Sequence, residues 1–430
     1  MNNEEIVLFW FRRDLRIQDN TGFFKALEGK CKVLPLFIFD DNITKELEKN
    51  DPRIQFIHER LNILQQQFKS FNSLILCLQG DPVTLIDSLT SEYNVSSVYA
   101  NKDYEPYAIE RDLKIEILLQ KKTIQFCRFK DQLVFEENEI LKENGEPYTV
   151  FTPFKNKWMQ RFIQLDPFIL IKPDLNNLIK TEGTLPSLTS LGFVPSRIKV
   201  LPFDLDVTTE YEKNRDYPSI DKTSYLSPHL RFGTVSIREI IDQVKDHQSF
   251  LNELIWREFF MQILFHFPKV VHRNFKQKYD AINWRNDPDE FEKWSLGQTG
   301  YPMVDAGMRQ LNETGYMHNR VRMIAAGFLC KHLLTDWRFG EAYFAKKLLD
   351  YELASNNGNW QWAAGTGCDA APYFRIFNPE TQLAKFDKNH NYVKKWIPEL
   401  GTSKYPSPII DHKIARKRAL DAYQQALKPE

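Results

Sequence analysis

IVLFWFRRDLRIQDNTGFFKALEGKCKVLPLFIF, residues 6–39, sets two short apolar runs rich in β-branched and aromatic residues on either side of a helix-like spacer. Comparable runs recur at SLILCLQ (73–79), SSVYANKD (96–103) and TIQFCRFKDQLVF (123–135), with helix-like sequence between them. That rhythm is the signature of βαβ units. The runs scarcely alternate polar with apolar residues, so strands covered on both faces are expected. The reading is a doubly wound parallel sheet, with any ligand at the carboxyl ends of its strands. Weakly periodic sequence carrying Pro, Asn and Thr follows and predicts a connector. Beyond it the spacing is helical, at 235–246, 248–267, 303–313, 318–334, 339–350 and 412–427. The fold class is therefore α/β plus all-α: a sheet domain over 1–135, an interdomain connector over 136–215 and a helical domain over 216–430.

Across 430 residues, 57 Lys and Arg balance 57 Asp and Glu. No global cationic field draws the chain to nucleic acid or to anionic lipid, and such a partner needs a local basic patch. Aromatics make up 13% of the residues, enough to thicken a core or to line a site for a flat ligand. Cys31, Cys77, Cys127, Cys330 and Cys368 are odd in number and include no CxxC pair. This suits a reducing compartment better than a disulfide or zinc framework, and the cytoplasm is the expectation. The start, MNNEEIVLFWFRRD, puts acids before a short apolar run. No stretch reaches the roughly 20 apolar residues of a membrane span.

SFLNELIWREFFMQILFHFP (249–268) is apolar almost all round, as a buried helix is, and Pro268 ends it. Yet Glu253, Trp256, Arg257 and Phe260 share one face at i, i+3, i+4 and i+7. A buried Glu/Arg pair beside a core Trp is the structural alternative to a site. HNRVRMIAAGFLCKHLL (318–334) repeats the design, with Asn319, Arg322, Met323 and Ala326 on one face; a Met there is by itself ordinary core filler. LDYELASNNGNWQWAAGTGCDAAPYFRIFNP (349–379), rich in Gly, Asn and aromatics, predicts turns and short helices around a ligand. Its Gly365, Gly367 and Ala370 match GxGxxA, but no strand precedes them, so the dinucleotide fingerprint is rejected. P-loop, HExxH and GxSxG patterns are absent, and no metal site is expected. In TSYLSPHLRFG (223–233), Thr223, Ser224 and Ser227 precede a helix-like run. This suits helix capping or a bound diphosphate.

FWFRRDLRIQDN (9–20), TSYLSPHLRFG, NELIWREFF (252–260), TGYPMVDAGMRQLNETGYMHNRVRM (299–323) and NNGNWQWAAGTGCDAAPYFRIFNP (356–379) together resemble the photolyase/cryptochrome family, most of all the class I cyclobutane pyrimidine dimer photolyases. The resemblance spans nearly the whole chain in order. It implies an α/β domain followed by a helical FAD-binding domain and light-driven repair: reduced FAD passes an electron to a flipped-out dimer, which splits into two pyrimidines. Lesions that pair poorly are the cheaper ones to extrude, and photolyases are among the enzymes known to flip bases.

Residue by residue, the resemblance implies that Tyr211, Thr223, Ser224, Tyr225, Leu226 and Ser227 hold the FAD diphosphate and its surroundings, with Phe250 packing on the cofactor where many relatives have Trp. Arg257, Arg322, Asp350, Tyr351, Glu352 and Asn356 are expected around the flavin, Glu352 standing where Asp is common. A neutral amide at Asn356 fits an anionic reduced flavin better than a carboxylate would. Arg215, Glu253, Trp256, Asn319, Met323, Trp362 and Arg375 are implied on the DNA side. Burial would keep Glu253 protonated, so that it donates to a pyrimidine carbonyl gaining charge. Trp284, Trp337 and Trp360 match the family's electron-transfer chain. YEPYAIERD (104–112) carries Tyr107 and Ala108 where folate-binding relatives have Asn-Glu. A second chromophore is therefore expected to be a deazaflavin or another flavin in preference to a folate, or to be lacking. UV-damaged DNA is the expected partner, with a monomer, no obligate protein partner and no membrane. A cryptochrome-type receptor without repair is the alternative.

Overall fold

The computed structural model describes residues 4–181 and 183–428; Met1–Asn3, where the amino-terminal reading begins, lie outside them. Compact packing divides the chain into two units: residues 1–139, 162–203 and 226–246 in one, and 140–161, 204–225 and 247–430 in the other. These units do not follow the expected boundaries at 135 and 216.

The first unit is built on strands β1 (Ile6–Phe11), β2 (Lys32–Asp40), β3 (Leu76–Gly80), β4 (Val95–Asn101) and β5 (Gln125–Phe129). All pair in parallel, in the order β3-β2-β1-β4-β5. Helices α1 (Thr21–Leu27), α2 (Pro52–Lys69), α3 (Pro82–Glu92) and α4 (Pro106–Lys121) lie between the strands in sequence. Successive side chains of a strand point to opposite faces, which explains the unbroken apolar run of β1. Val7, Phe9 and Phe11 enter one core with Phe23 and Phe68; Ile6, Leu8 and Trp10 enter another with Leu34, Leu36 and Ile115.

The polar half of FWFRRDLRIQDN braces the end of β1. Asn101 donates to Asp14 Oδ2 at 2.6 Å and to Asn20 Oδ1 at 2.7 Å. Its own Oδ1 accepts from the Gly22 N–H at 2.9 Å. A Cβ on Gly22 would stand 2.7 Å from that oxygen, so the approach requires glycine. Arg16 pairs with Asp131 at 2.7 Å, and Arg238 with Asp19 at 2.7 Å.

The second unit is helical. Within the expected connector lies α5 (Phe151–Phe162), whose buried Phe151, Phe154 and Trp158 recur at helical spacing. Trp158 Nε1 donates to the buried Glu258 at 2.7 Å on α6 (Gln248–His266). Then come α7 (Pro302–Thr314), α8 (Asn319–Gly327), α9 (Trp337–Lys347), α10 (Leu353–Ala364) and α11 (His412–Ala426). The single helix expected over 318–334 is instead α8 followed by a π-turn, Phe328–His332. Such turns bulge a helix, frequently at functional sites. The core gathers Trp294, Met303, Leu311, Ile324, Leu329, Trp337, Phe344 and Trp360.

Candidate functional site

The polar stripe of α6 finds its partners on other elements. Arg215, just after the short helix Tyr211–Asn214, donates to Glu253 Oε1 at 2.7 Å. Arg257 meets Glu352 at 3.4 Å. The i,i+4 pair within α6 that the spacing offered is therefore replaced by two ion pairs reaching off the helix. Burial raises the Glu253 carboxyl above its ordinary value, and Arg215 draws it back part of the way. Tyr211 stands edge-on to Phe250, centroids 5.2 Å apart, with the Arg215 guanidinium 5.1 Å from the Tyr211 ring. Trp256 is stacked on Phe151 at 3.6 Å and 7°, with Phe259 against its edge. A ring so backed on one face is a fixed platform.

Around α10, Arg322 pairs with Asp350 at 3.0 Å and donates from Nε to the Met317 carbonyl at 2.8 Å. Asn356 turns its amide group to Glu341 on α9, donating to Oε1 at 2.8 Å and to the backbone oxygen at 3.1 Å. Its Oδ1 is thereby left as the group it can offer a ligand. Burial raises the Glu341 carboxyl, against hydrogen bonds from Asn356 and Tyr351. Glu341 was not singled out in the sequence, because the 15 residues separating it from Asn356 fit no helical repeat.

Thr223, Ser224 and Tyr225 form an irregular turn. The Ser224 carbonyl accepts from the Asp204 N–H at 2.9 Å, and Tyr225 donates to Asp221 at 2.6 Å. Tyr225 sits at φ +51°, a left-handed conformation costing roughly 1–2 kcal/mol for a residue with a Cβ. Strain of this kind clusters at ligand sites. Leu226 and Ser227 follow in the chain. The helix they open, Ser227–Arg231, has only five residues and no side-chain cap, so the capping reading does not hold there.

Met323, Trp362 and Arg375 come together around one cavity, with Gly327, Lys331 and Phe377; it has roughly 280 Å³ of empty space, solvent at its mouth included. Asn319 is exposed, one turn before Met323. Glu253 and Trp256 are not among the cavity's lining residues. Arg375, 4 residues past the lining Ala371, is exposed.

Trp360 and Trp337 share the helical core, and Trp284 packs against it. Gly340 on α9 makes room for Trp360: a Cβ there would collide with Cη2 of the indole. Trp337 Nε1 donates to Asn274 at 2.8 Å. Trp284 is half-buried and meets Tyr423 edge-on at 6.0 Å.

In the first unit, the carboxyl ends of β1, β2 and β4 converge on charged residues. Arg12 pairs with Asp112 at 2.7 Å, Tyr107 donates to Asp40 at 2.6 Å, and the Arg12 and Arg111 guanidiniums lie 5.0 and 4.7 Å from the Trp10 ring. Among the described residues no group of three or more His, Cys, Asp or Glu side chains could hold a metal. Likewise, no helix is long and apolar enough to cross a membrane.

Two family descriptions match the chain: "DNA photolyase" over residues 7–172 and "FAD binding domain of DNA photolyase" over 250–404. The deoxyribodipyrimidine photo-lyase of Halobacterium salinarum is 36% identical, over 97% of this chain and 99% of that protein. A bacterial class III photolyase from Agrobacterium tumefaciens superposes with a TM-score of 0.88 at 33% identity, covering 100% of this chain and 99% of the other. An archaeal photolyase from Sulfolobus tokodaii, solved with two FAD molecules, gives 0.86 at 33% identity over 98% and 100%. With both family descriptions matched in chain order and relatives aligned over nearly its full length, the chain belongs to the DNA photolyase family.

Proposed function

We propose that the protein repairs cyclobutane pyrimidine dimers in UV-damaged DNA under blue light, splitting each into two pyrimidines, as a cytoplasmic monomer without an obligate protein partner. When bound, FAD in its reduced state supplies a photoexcited electron that is lent to the dimer and returned, so two C–C bonds break with no net redox change. The observation that carries this reading is the cavity of Met323, Trp362 and Arg375, set in the same helical unit as the Asn356–Glu341 pair.

The residues present suit FAD. Arg257 and Arg322 are guanidiniums already oriented by Glu352 and Asp350. Asn356 offers a neutral oxygen, and Thr223, Ser224 and Tyr225 offer hydroxyls and backbone N–H groups for a diphosphate. Tyr211 and Phe250 supply aromatic surface. On the substrate side, Trp256 and Trp362 give flat apolar walls of the kind on which unstacked bases settle. Glu253, raised by burial, is suited to donate a proton in a hydrogen bond once Arg215 swings to a phosphate. Trp360, Trp337 and Trp284, fully buried to half-buried in that order along the proposed route, would conduct reducing electrons inward.

For a second chromophore the carboxyl ends of β1 and β4, where the strand order reverses, are the proposed seat. Tyr107, engaged with Asp40, occupies the place that folate recognition would need, which favours a deazaflavin or another flavin.

The test is the loss of thymine dimers from a UV-irradiated oligonucleotide incubated with photoreduced protein, in blue light and in darkness. Light-dependent loss is expected. A flavin-bearing protein that repairs nothing in the light would refute the proposal and leave the receptor reading.

A further inference from the structure

The π-turn carries Lys331, 2% exposed and on the floor of the cavity. Its ammonium has no carboxylate within ion-pairing distance among the described residues. Its Nζ instead donates to the Ala364 carbonyl at 2.7 Å and to the Tyr373 carbonyl at 3.3 Å, and lies 3.7 Å from the centroid of the Tyr423 ring. Ala364 is the last residue of α10, and Tyr373 lies nine residues further on. One cation thus ties together the two ends of an irregular strap that runs from Gly365 to Pro372.

Three observations bear on why the strap needs this tie. Gly365 is at φ +82°, and a Cβ there would come within 3.3 Å of Nζ, so the close approach is built into the sequence. Tyr423 on α11 donates its own hydroxyl to the same Ala364 carbonyl at 2.6 Å, fixing the near end twice. Further along, the strap is held by Asp369, whose carboxylate accepts from the Phe151 N–H at 2.9 Å, and Phe151 is the ring stacked on Trp256. Beyond the tied end come the exposed Phe374 and then Arg375 of the cavity rim. Charge-assisted hydrogen bonds are roughly twice as strong as neutral ones, and a buried cation without a counter-ion is costly unless it is so used.

We propose that Lys331 is a positioning residue for DNA recognition: its Nζ cinches the Gly365–Pro372 strap so that Trp362 and Arg375 stand at the geometry that receives the flipped lesion. This rests on the repair reading above. The groups facing Lys331 are Cys330 on its own turn, Tyr423 from α11, and Tyr373 and Arg375 from the strap side. Asp336 acts on Cys330 and Tyr423. Burial lowers the Lys331 ammonium to about 7, with Cys330 opposing weakly. Its charge is therefore lost as pH rises through neutrality; a loosened strap would return the amine to water and to its ordinary higher value, so the closed strap holds fewer protons and is favoured as pH rises.

The experiment uses the full-length flavoprotein and an oligonucleotide bearing one thymine dimer. Its readouts are Kd at constant ionic strength, repair yield per photon at saturating DNA, and cleavage of the strap by a broad-specificity protease. Wild type, Lys331→Met and Lys331→Arg are compared between pH 6 and 9. Expected are a Kd raised about tenfold in Lys331→Met, partial rescue by Lys331→Arg, and, in wild type from pH 6 to 9, a Kd that tightens and a strap cleavage that slows severalfold, both flat in Lys331→Met. A folded Lys331→Met with wild-type Kd would overturn the inference, because a merely structural lysine lowers thermal stability and leaves affinity alone. Should that variant not fold, the wild-type series decides: affinity and strap cleavage both constant from pH 6 to 9 reject the proposal. Wild type that shows no light-dependent repair at any pH defeats the repair reading itself, a separate outcome.

Discussion

Asn356→Asp tests the α9–α10 contact beneath the proposed flavin. In the native chain the Asn356 amide makes two bonds to Glu341, at 2.8 and 3.1 Å. The substitution removes both donors, at about 1 kcal/mol each, and sets a carboxylate against a carboxylate. Two full charges about 3 Å apart repel by roughly 6 kcal/mol at an effective dielectric near 20. The pair has a cheaper escape: holding one proton between them at pH 7, about three units above an ordinary carboxyl, costs about 4 kcal/mol. The folded variant then binds one more proton than the unfolded chain. By linkage its stability must fall with rising pH, by about 1.4 kcal/mol per unit, until the repulsion limit near 6 kcal/mol is reached. Denaturation midpoints at pH 6, 7 and 8 read this slope directly. Adding Glu341→Gln restores a donor facing the introduced carboxylate and should flatten the slope and recover most of the loss, a double-mutant cycle on one contact. Equal stability of Asn356→Asp and wild type at pH 8 would refute the geometry, since Asn356 is buried and Glu341 half-buried, which leaves the two groups little solvent to screen them.

Gly340→Ala drives a methyl into the Trp360 ring; overpacking of this kind costs about 1–3 kcal/mol and should shift Trp360 fluorescence as well as Tm. Phe151→Ala strips the backing from Trp256, with an expected stability loss of about 3 kcal/mol and weaker binding of dimer-containing DNA. Phe151→Tyr should retain most of both, and unchanged affinity in the Ala variant would sever Phe151 from the site. His332, lowered to about 3 by burial and by His412 and Arg418, stays neutral in the fold while the unfolded chain takes up a proton below its ordinary value. Its contribution to stability is therefore lost as pH falls below about 6.5, at about 1.4 kcal/mol per unit. His318, lowered to about 4, adds an equal slope. His332→Gln should remove one proton's worth from the acid limb of a stability–pH curve, and an unaltered slope would show that His332 already protonates in the fold.

The strands and the long helices were legible because burial imprints its own period on a sequence. β1 reads apolar throughout, since both of its faces are covered, and α6 reads apolar all round for the same reason. Five ordered motifs were enough to name the family. What the sequence did not disclose is who meets whom. Glu253 and Arg257, four apart on one helix, pointed to each other, yet Arg215 and Glu352 claim them, because a partner brought in from another element competes on distance and not on spacing. The apolar positions 151, 154 and 158 did carry a helical signal inside the supposed connector, but its short length and polar flanks hid it. Glu341 behind Asn356, Phe151 behind Trp256 and Lys331 under the strap left no local pattern at all. Local periodicity and motif determined the secondary structure and the family; the ion pairs, ring stacks and the cation beneath the cavity were decided only by tertiary contact, since their energies depend on separation in space between residues far apart in the chain.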